Sequence, residues 1–254
     1  MDLGLIITYT VVAIYCLALL LIFFYSLTIL NLSVNYLKNK HQNNEAPKFN
    51  LLDPNEIPYV TVQLPIYNEK YVVPRLLENI AKLEYPKNKL EIQVLDDSTD
   101  DSVAETARII AELQQTGLDI VHIRRENREG FKAGALKYGT AIAKGDFIAI
   151  FDADNLVHPN FLKEMNHRLL KGDKVIQGYL DAKNPYDTWV AGTFAIAFWV
   201  IDHISHLAKT NIGLSACLGG TGMCITTDVL KRHGWRATCL TEDMEFTMKL
   251  LAEG

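Results

Sequence analysis

The sequence predicts an α/β domain built on a mainly parallel sheet with helices on both faces, preceded by one apolar helix at the amino terminus. Three observations carry this. Short apolar runs rich in Val, Ile and Leu alternate with stretches of helical period from Val60 onward. Two of those runs end abruptly in carboxylates, at Asp96 and Asp97 and again at Asp152 and Asp154. From Leu3 to Leu32 there is no charged side chain, a run longer than the roughly 20 residues a helix needs to cross the hydrocarbon core.

Taken in order, residues 3–32 read as a transmembrane anchor. Only Met1 and Asp2 precede them, so the basic leader of a cleaved signal peptide is missing. Lys38 and Lys40 follow, and the bias of Lys and Arg toward the cytosolic side places the rest of the chain there, a membrane protein with its main domain in the cytosol. Residues 33–58 read as linker, being polar from about Asn39 and punctuated by Pro47, Pro54 and Pro58. The domain then runs from 59 to 254. Strands are expected at Val60 to Leu64, Glu91 to Leu95, Ile120 to Ile123, Phe147 to Phe151, Lys174 to Tyr179 and Met223 to Thr226. Helices are expected around Leu76 to Leu83, Val103 to Leu113, Ala133 to Ala143, from near Pro159, and from Thr241 toward Leu251. A long apolar helix from Thr188 to about Ala208 contains Asp202, His203 and His206, which interrupt it too early for a span, so it reads as buried or interfacial. The two histidines lack a third ligand and are not read as a metal site.

At 254 residues, 49% hydrophobic and 22% charged, the chain has room for one full domain beside the anchor. The net charge of −5 argues against nucleic acid as a partner. Four cysteines without a CxxC pair read as reduced thiols. Arg124, Arg125 and Arg128 form a basic cluster interrupted by Glu126 and Glu129, which reads first as solvated surface and second as a phosphate site.

The chemistry is expected where strands end, because ligands of parallel sheets bind outside the carboxyl ends of the strands. In extended backbone, residues i and i+2 face one way, so Asp152 and Asp154 can address one object together. Their mutual repulsion is relieved by a hard cation, Mg²⁺ or Mn²⁺, itself carrying a diphosphate. The expected helix starts later, near Pro159, so capping does not explain this pair, whereas Asp100 and Asp101 stand where acids cap a helix. Glu242 and Asp243 open the last helix and read either as acids complementing its amino terminus or as a general base.

Five segments, Pro65-Ile66-Tyr67-Asn68-Glu69, Val94-Leu95-Asp96-Asp97-Ser98, Gly130-Phe131-Lys132-Ala133-Gly134-Ala135-Leu136, Asp152-Ala153-Asp154 and Thr241-Glu242-Asp243, stand in the order of family 2 glycosyltransferases. The chain beyond the linker resembles the cellulose synthase and mannan synthase-like branch of that family. The resemblance implies a GT-A fold, a Rossmann-like sheet, and an inverting transfer of sugar from a nucleotide-sugar donor such as UDP-glucose or GDP-mannose to a glycan or lipid acceptor at the cytosolic membrane face. It implies that Pro65, Tyr67 and Glu69 line the nucleotide pocket, that Asp97 contacts the base, and that Lys132 lies near the nucleotide, although a surface lysine at a helix start is the competing view. It further implies that Asp152 contacts the nucleoside side of the donor, that Asp154 with Asp152 serves the metal, and that Asp243 is the base with Glu242 beside it. Gly219-Gly220-Thr221-Gly222 resembles the acceptor-site loop or else is a turn into the next strand.

The family's Gln-x-x-Arg-Trp element and its later membrane helices are not found before Gly254, so the domain is expected to be incomplete at its carboxyl end, with further membrane segments or subunits outside this chain. Ile176-Gln177-Gly178-Tyr179 lacks the Gln-x-Arg-Trp of the mannan branch, which leaves the sugar open. Two other classes compete with this reading. Asp96 to Asp100 matches the DDxxD of prenyl-diphosphate synthases, but that motif belongs on helices and here a strand-like run precedes it. A non-catalytic nucleotide-binding membrane protein is the other alternative.

Overall fold

A computed structural model describes residues 2–43, 57–239 and 241–253. The chain divides into two compact units, one of residues 1–46 with 180–216 and one of residues 47–179 with 217–254.

The second unit holds the sheet. Its strands are β1 (Val60–Ile66), β2 (Leu90–Asp96), β3 (Asp119–Ile123), β4 (Phe147–Ile150), β5 (Val175–Gln177) and β6 (Met223–Thr226), in the spatial order β3-β2-β1-β4-β6-β5. The first four are mutually parallel, with Val60 level with both Leu90 and Phe147. β6 runs antiparallel to both neighbours, β4 and β5. The sheet is thus mainly parallel as expected, with the reversed strand placed between two that run the other way.

Alternation along β1 sorts its side chains. Val60, Val62, Leu64 and Ile66 join a buried cluster with Leu76, Leu77 and Ile80 of α2 (Val73–Ile80), whose apolar positions recur at helical spacing after Pro74 in the first turn. Each such side chain contributes roughly 1.5–3 kcal/mol by leaving water, as an upper bound. α3 (Ser102–Gln115) adds Ile109 and Ile110 to this cluster, and α5 (Phe161–Leu170) adds Leu162 and Leu169. Asp100 Oδ1 accepts the Ser102 amide at 3.1 Å, the capping role expected of it, while Asp101 pairs with Lys70. The opposite face of the sheet is covered by α4 (Phe131–Ile142), α8 (Thr227–His233) and α9 (Glu242–Glu253), which meet in a cluster around Leu136, Ile148, Ile150, Leu230 and Phe246.

On that second face the first two alternate positions of β1 and β2, Thr61, Gln63, Glu91 and Gln93, are polar and buried. Thr61 Oγ1 donates to Glu91 Oε2 at 2.7 Å, and Gln63 Nε2 to Gln93 Oε1 at 3.0 Å. Gly139 of α4 lies against this ladder; a methyl group there would sit 2.7 Å from Gln63 Nε2 and 2.8 Å from Gln93 Oε1. Only glycine lets the helix approach so closely.

The first unit bears on the sequence expectations in three ways. The amino-terminal helix α1 runs from Leu3 to Asn43, so it continues well into the segment read as linker; residues 44–56 of that segment lie outside the described ones. Second, residues 180–216, inside the stretch expected as one domain over 59–254, group with α1. Third, the long apolar helix, read as buried or interfacial, is exposed over its first half and buries only Asp202, Ile204 and Ala208 beyond it. It comprises α6 (Trp189–Trp199), a π-helical stretch (Val200–Leu207) and α7 (Ala208–Asn211), and no residue of α6 is buried. A helix apolar on every face with few protein neighbours fits an apolar surrounding, and Leu3–Asn39 and Trp189–Asn211 are each long and apolar enough to cross a membrane. The two helices share a small core of Leu32, Tyr36, Ile204 and Ala208, with the Tyr36 ring edge-on to Trp199 and His203 at 5.8 and 5.3 Å. Asp202, which broke the apolar pattern, is buried; it accepts the Leu180 amide at 3.1 Å and lies 3.3 Å from His206 Nδ1.

Candidate active site

The carboxyl ends of β1, β2 and β4 lie at one edge of the sheet because these strands are parallel. β6 is antiparallel, so its start is at that edge; Ile150 of β4 is level with Met223, and Met223 with Gln177 at the end of β5. Four strand ends and the loop before β6 therefore meet where the sequence places its carboxylates.

A cavity of about 340 Å³ opens there, and its lining includes Pro65, Tyr67, Glu69, Asp97, Lys132, Asp152 and Asp154, all the donor-side residues singled out above, together with Arg128. Lys132, on the first turn of α4, is the connecting group. Its ammonium lies 2.6 Å from Asp152 Oδ1 and 3.4 Å from Glu242 Oε1, and donates to the Gly220 carbonyl at 2.9 Å. It is not a free surface lysine. Glu242 and Asp243, in the first turn of α9, thus come to the same place as the strand-end aspartates. Asp243 Oδ1 accepts the Met244 amide at 2.8 Å, so helix-end complementation is real. Its Oδ2 would be 3.0 Å from a methyl group on Gly220, a position whose φ of +78° also favours glycine.

The Gly219 to Gly222 loop is more than a turn. Thr221 Oγ1 accepts from the Asp152 amide at 2.9 Å and from Asn155 Nδ2 at 2.8 Å. Gln177 fastens the loop on its other side: Nε2 donates to the Thr221 carbonyl at 2.9 Å, and Oε1 accepts the Gly219 amide at 2.8 Å. Sequence marks the loop that holds Thr221 but neither its bonds nor Gln177, because the partners come from strands that only the β4-β6-β5 order makes adjacent.

The basic cluster divides. Arg125 holds Asp97 through both carboxylate oxygens, with Nε donating to Oδ1 at 3.0 Å, and also donates to the Glu129 and Phe131 carbonyls. Arg124 Nη2 donates to the Ser98 carbonyl at 2.6 Å. Arg125 is therefore not the solvated surface expected of it, whereas Arg124 stays exposed. Beside them Asp96 is fully buried, bonded to His122 Nε2 at 2.7 Å and to the Ser98 amide at 2.8 Å; burial pushes its carboxyl up, and these bonds outweigh it and hold it below the usual range. Asp96 and Asp97 therefore stiffen the end of β2.

Glu69 shows the charge state of the cavity. Burial, and then the nearby Asp154 and Asp152, raise its carboxyl above the ordinary range. Crowded carboxylates of this kind suit a divalent cation. Among the described residues, no three His, Cys, Asp or Glu side chains form a cage for a metal. Asp152 and Asp154 instead fit a hard ion such as Mg²⁺ or Mn²⁺ whose remaining positions are filled by phosphate and water, as is usual when one or two carboxylates share the ion with a substrate.

Residues 58–254 match the family described as Glycosyltransferase like family 2. A probable glucomannan 4-beta-mannosyltransferase of Oryza sativa subsp. japonica is 31% identical over 208 residues, covering 78% of this chain and 35% of that protein. A probable glucomannan 4-beta-mannosyltransferase of Arabidopsis thaliana is 35% identical over 158 residues, covering 58% of this chain and 29% of that protein. The chain spans about a third of the length of these relatives. Among solved structures, a mannosyltransferase from Pyrobaculum calidifontis in complex with GDP-Man and Mn²⁺ superposes with a TM-score of 0.64 at 24% identity, covering 90% of this chain and 62% of that one. The strand-end carboxylates, the sheet order that assembles them and the match over 58–254 together place this chain, with its GT-A fold, in glycosyltransferase family 2.

Proposed function

We propose that this chain carries the donor site and the general base of an inverting hexosyltransferase that moves a sugar from a nucleotide-diphosphate donor to a glycan hydroxyl. The observation that supports it most directly is the position of Lys132, whose one ammonium serves Asp152 at 2.6 Å and Glu242 at 3.4 Å. Carboxylates from two distant parts of the sequence thus border one another, as a reaction between two substrates requires.

In this reading Pro65, Tyr67, Glu69 and Asp97 surround the nucleoside, with Asp97 held in place by Arg125. Asp243 accepts the proton of the acceptor hydroxyl while that oxygen attacks the anomeric carbon from the face opposite the diphosphate. The bond from the anomeric carbon to the diphosphate oxygen breaks, the nucleoside diphosphate leaves with the electron pair, and the configuration inverts. A divalent cation bound through Asp152 and Asp154 would neutralise charge on the leaving diphosphate. Lys132 keeps Asp152 oriented and Glu242 close to the base. The names of the plant relatives favour a mannose-bearing donor over a glucose-bearing one, and a β-linked glycan as product. The lysines that follow the apolar run favour a cytosolic catalytic unit on a membrane.

The test uses the full chain with GDP-mannose or UDP-glucose, Mn²⁺ or Mg²⁺, and manno- or gluco-oligosaccharides. The expected result is β-linked extension of an oligosaccharide, abolished by chelation. Asp243→Asn is expected to lower transfer by roughly 10²–10⁴-fold while donor binding persists. Undiminished transfer by that variant would overturn the assignment of the base, and passage of the sugar into a lipid extract instead of the oligosaccharide would overturn the glycan acceptor.

A further inference from the structure

Arg128 is a cavity-lining cation to which the reading above gives no role. Its guanidinium lies over the Tyr67 ring at 3.3 Å from the centroid, with the Phe131 ring at 5.0 Å, and its Nε is buried without a hydrogen-bond partner. The neighbouring cations are engaged: Arg125 with Asp97, Arg124 with the Ser98 carbonyl, Lys132 with Asp152 and Glu242. Among the described residues Arg128 forms no ion pair, although Glu69, Asp97, Asp152 and Asp154 line the same cavity.

A guanidinium is always charged, and stacking occupies its face while leaving the N–H edge available. A buried Nε–H without an acceptor costs free energy until a ligand supplies one. The ligand that answers both the charge and the edge is an anion with paired oxygens, which a guanidinium meets through parallel N–H bonds. A neutral nucleobase would leave the charge unanswered. We propose that Arg128 binds the diphosphate of the nucleoside-diphosphate donor, and that the Tyr67 ring is the seat on which its guanidinium waits. This inference rests on the donor-site reading of the cavity. Arg128 thereby becomes a binding residue supplied from the loop before α4, beside the cation held by Asp152 and Asp154.

Calorimetric titration of the full chain with UDP, GDP, uridine and guanosine in the presence of Mn²⁺ tests it, using the parent, Arg128→Gln and Arg128→Lys, with melting temperatures recorded for each. Expected is a loss of about 10–100-fold in diphosphate affinity in Arg128→Gln, with the affinity for the matching nucleoside unchanged, partial recovery in Arg128→Lys, and a shallower salt dependence in the glutamine variant. An equal loss for nucleoside and diphosphate would overturn the proposal by assigning Arg128 to the base or to the fold, and so would an unchanged diphosphate affinity. If the parent binds neither UDP nor GDP, the donor-site reading itself falls, an outcome distinct from parental binding that Arg128→Gln leaves intact.

Discussion

Burial and the charges of Asp154 and Asp152 make Glu69 easier to protonate in the folded chain than in the unfolded one. The stability that goes with its protonated form is present below the ordinary carboxylate range and is lost as pH rises through the raised value. Glu69→Gln cannot ionise and escapes that loss. The melting temperature of the variant is therefore expected to equal that of the parent at acidic pH and to exceed it modestly at neutral pH, the partial exposure of the site limiting the gap. Added Mn²⁺ should narrow the gap by relieving the carboxylate repulsion. A gap independent of pH would mean that Glu69 matters through shape alone. At this scale the strand-end aspartates are legible in sequence, because an apolar run that stops at two acids one residue apart is a local pattern. The bond from Arg125 to Asp97 is not, because it depends on β3 lying beside β2 and joins residues 28 apart.

Among the elements, α4 is the one whose position the site can least forgo, since it carries Lys132 at one end and Gly139 against the polar ladder at the other. A methyl group at 139 must displace the Gln63 and Gln93 side chains or lift the helix. Gly139→Ala is expected to cost about 1–3 kcal/mol, read as a lower denaturation midpoint, and to weaken donor binding as Lys132 shifts. Full parental stability would show that the ladder can yield. The strands of the sheet are legible because each is an apolar run bounded by turn residues, and their expected bounds differ from the observed ones by one or two residues, as between Val60 to Leu64 and Val60–Ile66. The extension of α1 to Asn43 is not legible, because beyond Leu32 the apolar run gives way to polar Asn, Lys and His residues that hide the helical continuation. α8 escapes for a related reason: at seven residues it is too short for periodicity to declare itself.

For the molecule as a whole, the α/β class follows from alternating strands and helices, whereas the division into units does not, because it depends on which apolar helix finds which partner. Asp202, His203 and His206 look from sequence like a reason to keep the 189–211 helix out of a membrane. In the fold Asp202 is buried and answered by the Leu180 amide and His206, and the apolar residues of α6 are left outside. The two ends of that excursion are themselves fastened: the Gly178 amide donates to the Gly222 carbonyl at 2.8 Å, just where β5 hands the chain over and β6 receives it back. In polymer terms residues 179–221 are a closed loop hosted by the sheet, and the entropy of closing a flexible loop grows so slowly that doubling its length costs only about 0.6 kcal/mol. A glycine-serine insertion at 212–214 is therefore expected to leave the sheet's melting temperature within a few degrees of the parent, whereas the same insertion at 219–221 would break the Gln177 clasp. A change of length between 179 and 221 accordingly need not re-register a single strand.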